Sequence, residues 1–259
     1  MAAHLRALLL TATVAVSSAA CGGGGGSARA DEGAAAAVPS LPPTTAATAA
    51  TPATTTPAEV PAEGTTLVAR AAGEIAVSPG PGAPPSHTLP ATTEFGSPRA
   101  LLVLEELGDW LHVALPDRPN GSTGWIARAD VELRAIDERI EISLIERTLT
   151  LFDGGEVVLV TPIAVGTPEA PTPMGDFYVV DKLATGDPTH TYGPFAFGLS
   201  AHSDVLTEFA GGDGQVGIHG TNDPASIGQA ASHGCIRVPN DVAVALDAAL
   251  HLGTPVTIG

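Results

Sequence analysis

Cys235 stands in the string Ser232-His233-Gly234-Cys235-Ile236-Arg237, downstream of Gly217-Ile218-His219-Gly220. The pattern sets one thiol among two imidazoles and several glycines. Cysteine attacks as its thiolate, and a nearby histidine, His219 or His233, lets that form exist near neutral pH. Gly234 permits a tight backbone bend beside the thiol, which can aim N–H groups at a developing oxyanion. Nucleophile, base and oxyanion donors are the parts of an acyl-transfer site. Ser232 is suited to a hydrogen bond within the loop or to simple packing. Arg237 is always charged and suits a substrate carboxylate, or else an ion pair with Asp241. Other readings compete for the same residues. Cys21 and Cys235 are the two cysteines of the chain and could form a disulfide in an exported protein. His202, His219, His233 and Cys235 could ligate zinc, although their spacings match no common zinc pattern.

The combined H-G … S-H-G-C-x-R signature resembles the active-site motif of the L,D-transpeptidases, the YkuD-like family. Thr172-Pro173-Met174-Gly175-Asp176-Phe177 is similar to that family's T-P-x-G-x-F segment, and Asn240-Asp241 sits where the family often has an Asn-x-Asp or Asn-Asp pair. The resemblance implies that Cys235 attacks the carbonyl of the third residue of a peptidoglycan stem and expels the terminal D-alanine. A side-chain amine of a neighbouring stem then resolves the thioester, giving a 3→3 cross-link with no cofactor and no metal. His219 takes the thiol proton, with the Gly220 carbonyl holding its ring in the useful tautomer, although some members have serine at that position. His233 stabilises the thiolate or joins Gly234 and Cys235 in offering backbone N–H groups to the oxyanion, and Arg237 holds a stem carboxylate. The segments 192–197 and 199–203 form a lid made mobile by glycines, with Tyr192 as a substrate contact. Carbapenems acylating Cys235 follow from the same chemistry. Two alternatives share the sequence: resolution of the thioester by water or a free D-amino acid, as in an L,D-carboxypeptidase or exchange enzyme, and a non-catalytic wall-binding protein.

Residues 1–20 have the layout of a secretory signal peptide, with His4 and Arg6 ahead of an apolar stretch and small residues after it. The apolar stretch is too short to span a bilayer. Cys21 follows two alanines as in a bacterial lipobox, a resemblance that implies lipidation of Cys21. Ser18 departs from that pattern, and plain cleavage at Ala20 is the alternative. Residues 21–65 then read as a lipidated cysteine and a Gly/Ala/Thr/Pro tether, without the apolar periodicity needed to bury a core. The expected location is the outer face of the cytoplasmic membrane, with the enzyme acting in the wall. A net charge of −17 repels phosphate backbones and argues against nucleic acid as a partner.

The elements that must position the thiol fall into two pieces, and the expected fold class is mainly β. Over 66–135, short apolar runs at 67–69, 75–77 and 100–104, the alternating 110–115, and the Asn120-Gly121 turn signal predict a small barrel or sandwich. Its Gly108-Asp109-Trp110 … Gly124-Trp125-Ile126 arrangement resembles bacterial SH3-like domains; both tryptophans are expected in the core, with ligand binding as the alternative. Over 138–259, strands are predicted at 140–144, 148–152, 156–160, 161–166, 175–180 and 256–258, with one clear helix capped by Asn240 or Asp241 and ending near Gly253.

Overall fold

The computed structural model of the protein describes residues 64–208 and 212–259. The expected signal peptide, Cys21 and nearly all of the tether lie outside the described residues. Seven strands form the first piece: β1 (Thr66–Ala71), β2 (Ile75–Val77), β3 (His87–Leu89), β4 (Ala100–Leu107), β5 (Trp110–Ala114), β6 (Thr123–Ala127) and β7 (Val131–Ile136). Five of them make an antiparallel sheet in the order β6-β5-β4-β1-β7, and β2 pairs with β3 alone. Strict alternation decides the faces. Leu111, Val113 and Ile126 point inward with Ile75, Val77 and Leu101. Trp110 and Trp125 fall on the opposite parity and are only half-buried. This corrects the expectation of core tryptophans: Trp125 instead stacks on His112 on the outer face, ring centroids 4.8 Å apart.

The second piece runs through β8 (Glu138–Ser143), β9 (Thr148–Asp153), β10 (Glu156–Pro162), β11 (Val165–Gly166), β12 (Gly175–Ala184), β13 (Phe195–His202), β14 (Gln215–His219), β15 (Ala230–Ser232), β16 (Ile236–Arg237), α1 (Asn240–Ala249) and β17 (Pro255–Ile258). Eight strands share one sheet, ordered β10-β9-β8-β17-β12-β13-β14-β16. The last strand, β17, is inserted between β8 and β12, parallel to the first and antiparallel to the second. Two expectations change. The segment 195–202, expected in a lid, is the sheet strand β13, with Phe197, Leu199 and Ala201 fully buried. The helix stops at Ala249, where Lys182 of β12 donates to the carbonyls of Asp247 and Leu250 at 2.7 and 2.8 Å. A lysine there suits the negative end of the helix dipole.

Strand β12 ties the two pieces together. Phe177 and Val179 project into the core of the second piece, whereas Tyr178 and Val180 project into the core of the first. Period-two alternation thus buries both faces of one strand, each against a different sheet. The Tyr178 hydroxyl donates to the Ala114 carbonyl at 3.1 Å, and its complete burial holds the phenol far above its usual titration range. Polar contacts surround this seam. Arg118 donates to the carbonyls of Ser203, Leu206 and Asp213 at 3.0, 3.2 and 2.7 Å, and Asn120 brackets the His202 backbone with two 2.8 Å bonds. Truncating Tyr178 to alanine should cost about 3–5 kcal/mol, the usual range for a buried aromatic. Urea unfolding followed by tryptophan fluorescence (first piece) and by far-ultraviolet circular dichroism (both pieces) should move together; separated transitions would show that the two cores are independent.

Candidate active site

Sheet register brings the thiol and the imidazole together. Strand β14 ends at His219 and runs parallel to β16, with Ile218 opposite Ile236 and His219 opposite Arg237. Ile218 and Ile236 are fully buried in the core, so His219 and Arg237 take the other face. Cys235 precedes β16 by one residue and shares that parity. The Gly217 backbone N–H donates toward its sulfur. Cys235 carries a free thiol.

The turn that presents the sulfur is held by two hydroxyls. Ser232 Oγ donates to the Cys235 carbonyl at 2.5 Å and accepts from the Gly234 N–H at 3.1 Å. Thr172 Oγ1 donates to the Gly234 carbonyl at 2.8 Å and accepts from the Gly166 N–H at 2.9 Å. Gly234 itself adopts φ +118°, a conformation that side chains rarely tolerate. Because its N–H is committed to Ser232, Gly234 does not point that donor at an oxyanion, which corrects the expected role. His233 sits at the exposed tip of the turn and lines one of the two cavities at the thiol.

His219 is only 4 % exposed, and its Nδ1 lies 2.5 Å from the Gly220 carbonyl. A carbonyl can only accept, so Nδ1 carries the proton and Nε2 is left as the basic nitrogen. Burial pulls the imidazole down to about pKa 4, a fall that the bond to Gly220 opposes and that Arg237 and His190 add to. Burial likewise pushes the Cys235 thiol up, against the Gly217 N–H and Arg237, which favour its thiolate. The resting pair is therefore thiol and neutral imidazole. This differs from a thiolate poised beside a charged histidine, the state that the residue types alone suggest, because burial of each group outweighs the hydrogen bonds that favour its charged form.

Gly220 is set by space. A Cβ on it would lie 2.4 Å from Asn240 Oδ1 and 3.1 Å from the Gly193 Cα. Asn240 opens α1, but its side chain does not cap the helix. Its Oδ1 accepts from the Thr221 N–H at 2.7 Å and its Nδ2 donates to the Pro188 carbonyl at 3.0 Å. Asn240 thus joins the turn after His219 to the loop carrying Tyr192. The Tyr192 ring meets His219 edge-on at 4.8 Å, and its hydroxyl is pushed up by burial and by the nearby Cys235. Arg237 faces Asp223 at 3.9 Å, not Asp241. His202 lies at the seam, paired with Asp213 at 2.9 Å, and among the described residues no group of three His, Cys, Asp or Glu is gathered for a metal. In the sequence Thr172 and Asn240 are visible only as motif members; their positioning roles rest on the distant Gly234 and Pro188 carbonyls.

Residues 137–258 match the model of the YkuD family, the L,D-transpeptidase catalytic domain. Over 123 residues the chain is 37% identical to the YkuD protein of Bacillus subtilis (strain 168), covering 48% of this chain and 66% of that protein. It therefore spans just under two thirds of the length of that relative. L,D-transpeptidase 1 of Mycobacterium tuberculosis is 25% identical over 222 residues, 72% of this chain and 84% of that protein. Among solved structures, the catalytic domain of the E. faecium L,D-transpeptidase aligns with 28% identity and a TM-score of 0.35, over 48% of this chain and 97% of that one. The segment carrying Thr172, His219, Cys235 and Asn240 is thus the segment matched to the YkuD L,D-transpeptidase catalytic domain.

Proposed function

We propose that the protein is a peptidoglycan L,D-transpeptidase that forms 3→3 cross-links through a thioester on Cys235. The observation that carries this reading is the free Cys235 thiol beside a buried, neutral His219 whose Nδ1–H is fixed on Gly220. A histidine so arranged is a general base awaiting a proton. The donor's third-residue carbonyl is attacked by Sγ as the thiol proton passes to His219 Nε2. The oxyanion is held by the Cys235 N–H at the end of the Ser232-pinned turn. Collapse breaks the peptide bond, and the departing D-alanine amine takes the proton from His219. The acceptor's side-chain amine then attacks the thioester, gives a proton to His219, and expels the sulfur, which recovers that proton as a thiol. Arg237 holds the donor's terminal carboxylate during acylation. A carbapenem enters the same first half-reaction and stays as an acyl adduct. The first piece, with its five-stranded antiparallel sheet, is SH3-like under this reading. Under the same reading residues 1–20 direct export, and lipidated Cys21 anchors the enzyme to the outer face of the cytoplasmic membrane, where it acts in the wall.

The test is product analysis. Tetrapeptide stems incubated with the protein should yield 3→3 dimers by mass spectrometry, and Cys235→Ala should lower their formation by about 1,000-fold or more. Equal dimer formation by both proteins would end the proposal. The pH profile gives a second expectation. A base held neutral down to about pH 4 keeps its function well below the ordinary histidine range. Acylation should therefore show its acid limb near pH 4, not near the unperturbed histidine value of about 6.5. The same shift bears on stability. Between those values the unfolded chain binds a proton that the folded protein does not, so stability contributed by neutral His219 is present above pH 6.5 and lost as pH falls toward 4. An acid limb at 6.5 would contradict the neutral pair.

A further inference from the structure

Two cavities open on Cys235 and His219, and they differ in charge. One, of about 270 Å3, carries Arg237. The other, of about 420 Å3, carries Glu94 and Asp213, and neither lysine nor arginine is among the described residues that line it. Glu94 and its neighbour Phe95 come from the first piece, at the tip of a turn fixed from several sides. Within the turn, the Thr93 N–H donates to the Ser97 carbonyl at 2.9 Å and the Gly96 N–H to the Thr93 carbonyl at 3.1 Å. Thr93 Oγ1 accepts from the Ser97 N–H at 3.1 Å and donates to Asp181 Oδ1 at 2.5 Å. Asp181 is 1 % exposed on β12, so the turn is anchored on the strand shared by both cores. At its base, the Arg99 guanidinium donates to the carbonyls of Pro90 and Thr92 at 3.0 and 3.1 Å. A turn pinned in this way holds its tip against the cavity without help from a ligand.

We infer that the first piece completes the acyl-acceptor side of the active site, and that Glu94 is the residue that draws an amine-bearing acceptor into the larger cavity. The inference rests on the transpeptidase reading above and deepens it. The argument is electrostatic complementarity. A donor stem ends in a carboxylate, which belongs beside Arg237. The acceptor arrives carrying an ammonium group, and the larger cavity offers it the carboxylate of Glu94, with Asp213 turned to His202, and no lysine or arginine among its described lining residues. The two chains then meet at Cys235, each through its own cavity. Glu94 is exposed and acts as a specificity residue. The ammonium releases one proton to solvent before it attacks as the free amine, and the proton lost on amide formation passes through His219 to the departing sulfur, as in the reaction already described.

The experiment measures acceptor KM with the full-length chain, a tetrapeptide stem as donor and an amine-bearing stem as acceptor. Acylation by a carbapenem is followed alongside. Glu94→Gln should raise the acceptor KM by about fivefold, the size expected of an exposed charge pair. Glu94→Lys should raise it further and increase the share of thioester lost to water. Carbapenem acylation should stay within about twofold of wild type in both variants, and added salt should erase most of the difference between Gln and wild type, which a packing defect would not do. An unchanged acceptor KM in both variants overturns the inference and leaves the transpeptidase reading standing. A parallel fall in acylation also overturns it, because the turn would then act on the donor or on the fold. Wild-type protein that is acylated yet transfers to no amine would sink the transpeptidase reading, and this inference with it.

Discussion

Burial of one neutral imidazole organises the site. His219 sits at the end of β14 with almost no exposure, and such a position penalises its charged form more than any neighbour rewards it. The single hydrogen bond from Nδ1–H to the Gly220 carbonyl then leaves Nε2 as the basic nitrogen. The carbonyl belongs to a residue packed on its side-chain face, because Asn240 and Gly193 close over the space a Cβ at 220 would fill. Asn240 also holds the Thr221 N–H and the Pro188 carbonyl. The base, its tautomer and the loop bearing Tyr192 are therefore one packed arrangement.

The thiol side is built by the same economy. Ser232 makes two hydrogen bonds within the turn before Cys235, Thr172 ties that turn to Gly166 on β11, and both residues are buried. Fixed geometry at a nucleophile saves the cost of ordering it during reaction. Beyond the turn, parallel pairing of β14 and β16 holds sulfur and imidazole on one face of the sheet. The far side of that sheet is supported through β12, whose second face is covered by the first piece. The N-terminal sheet is thus part of the frame that sets the cleft, through Tyr178, Thr93, Arg118 and Asn120.

Much of this was legible in the residues. Alternation marks β5, β8 and β9, and the Asp153-Gly154-Gly155 turn closes the hairpin from β9 to β10. The apolar spacing of α1 was equally plain. Strand β13 was missed because its small residues, Ala196, Gly198, Ser200 and Ala201, weaken the period-two signal, and burial on a crowded sheet removes polar alternation. The two tryptophans show the reverse case. Their parity, opposite to that of Leu111, Val113 and Ile126, points them outward, yet their size suggests the core. Thr172 and Asn240 were visible as motif members, but their roles depend on Gly234 and Pro188, each more than fifty residues away. The neutral state of the Cys235–His219 pair could not be read from residue types, because it depends on how deeply the fold places them.

The central claim is that Cys235 is an acyl-accepting thiol served by His219. The most direct measurement is intact-mass spectrometry after exposure to a carbapenem, comparing wild type, Cys235→Ala and His219→Gln. The account predicts one covalent adduct on wild type, none on Cys235→Ala, and slow adduct formation on His219→Gln, whose side chain cannot take the thiol proton. An adduct on Cys235→Ala, or folded wild-type protein that takes up none, would contradict it.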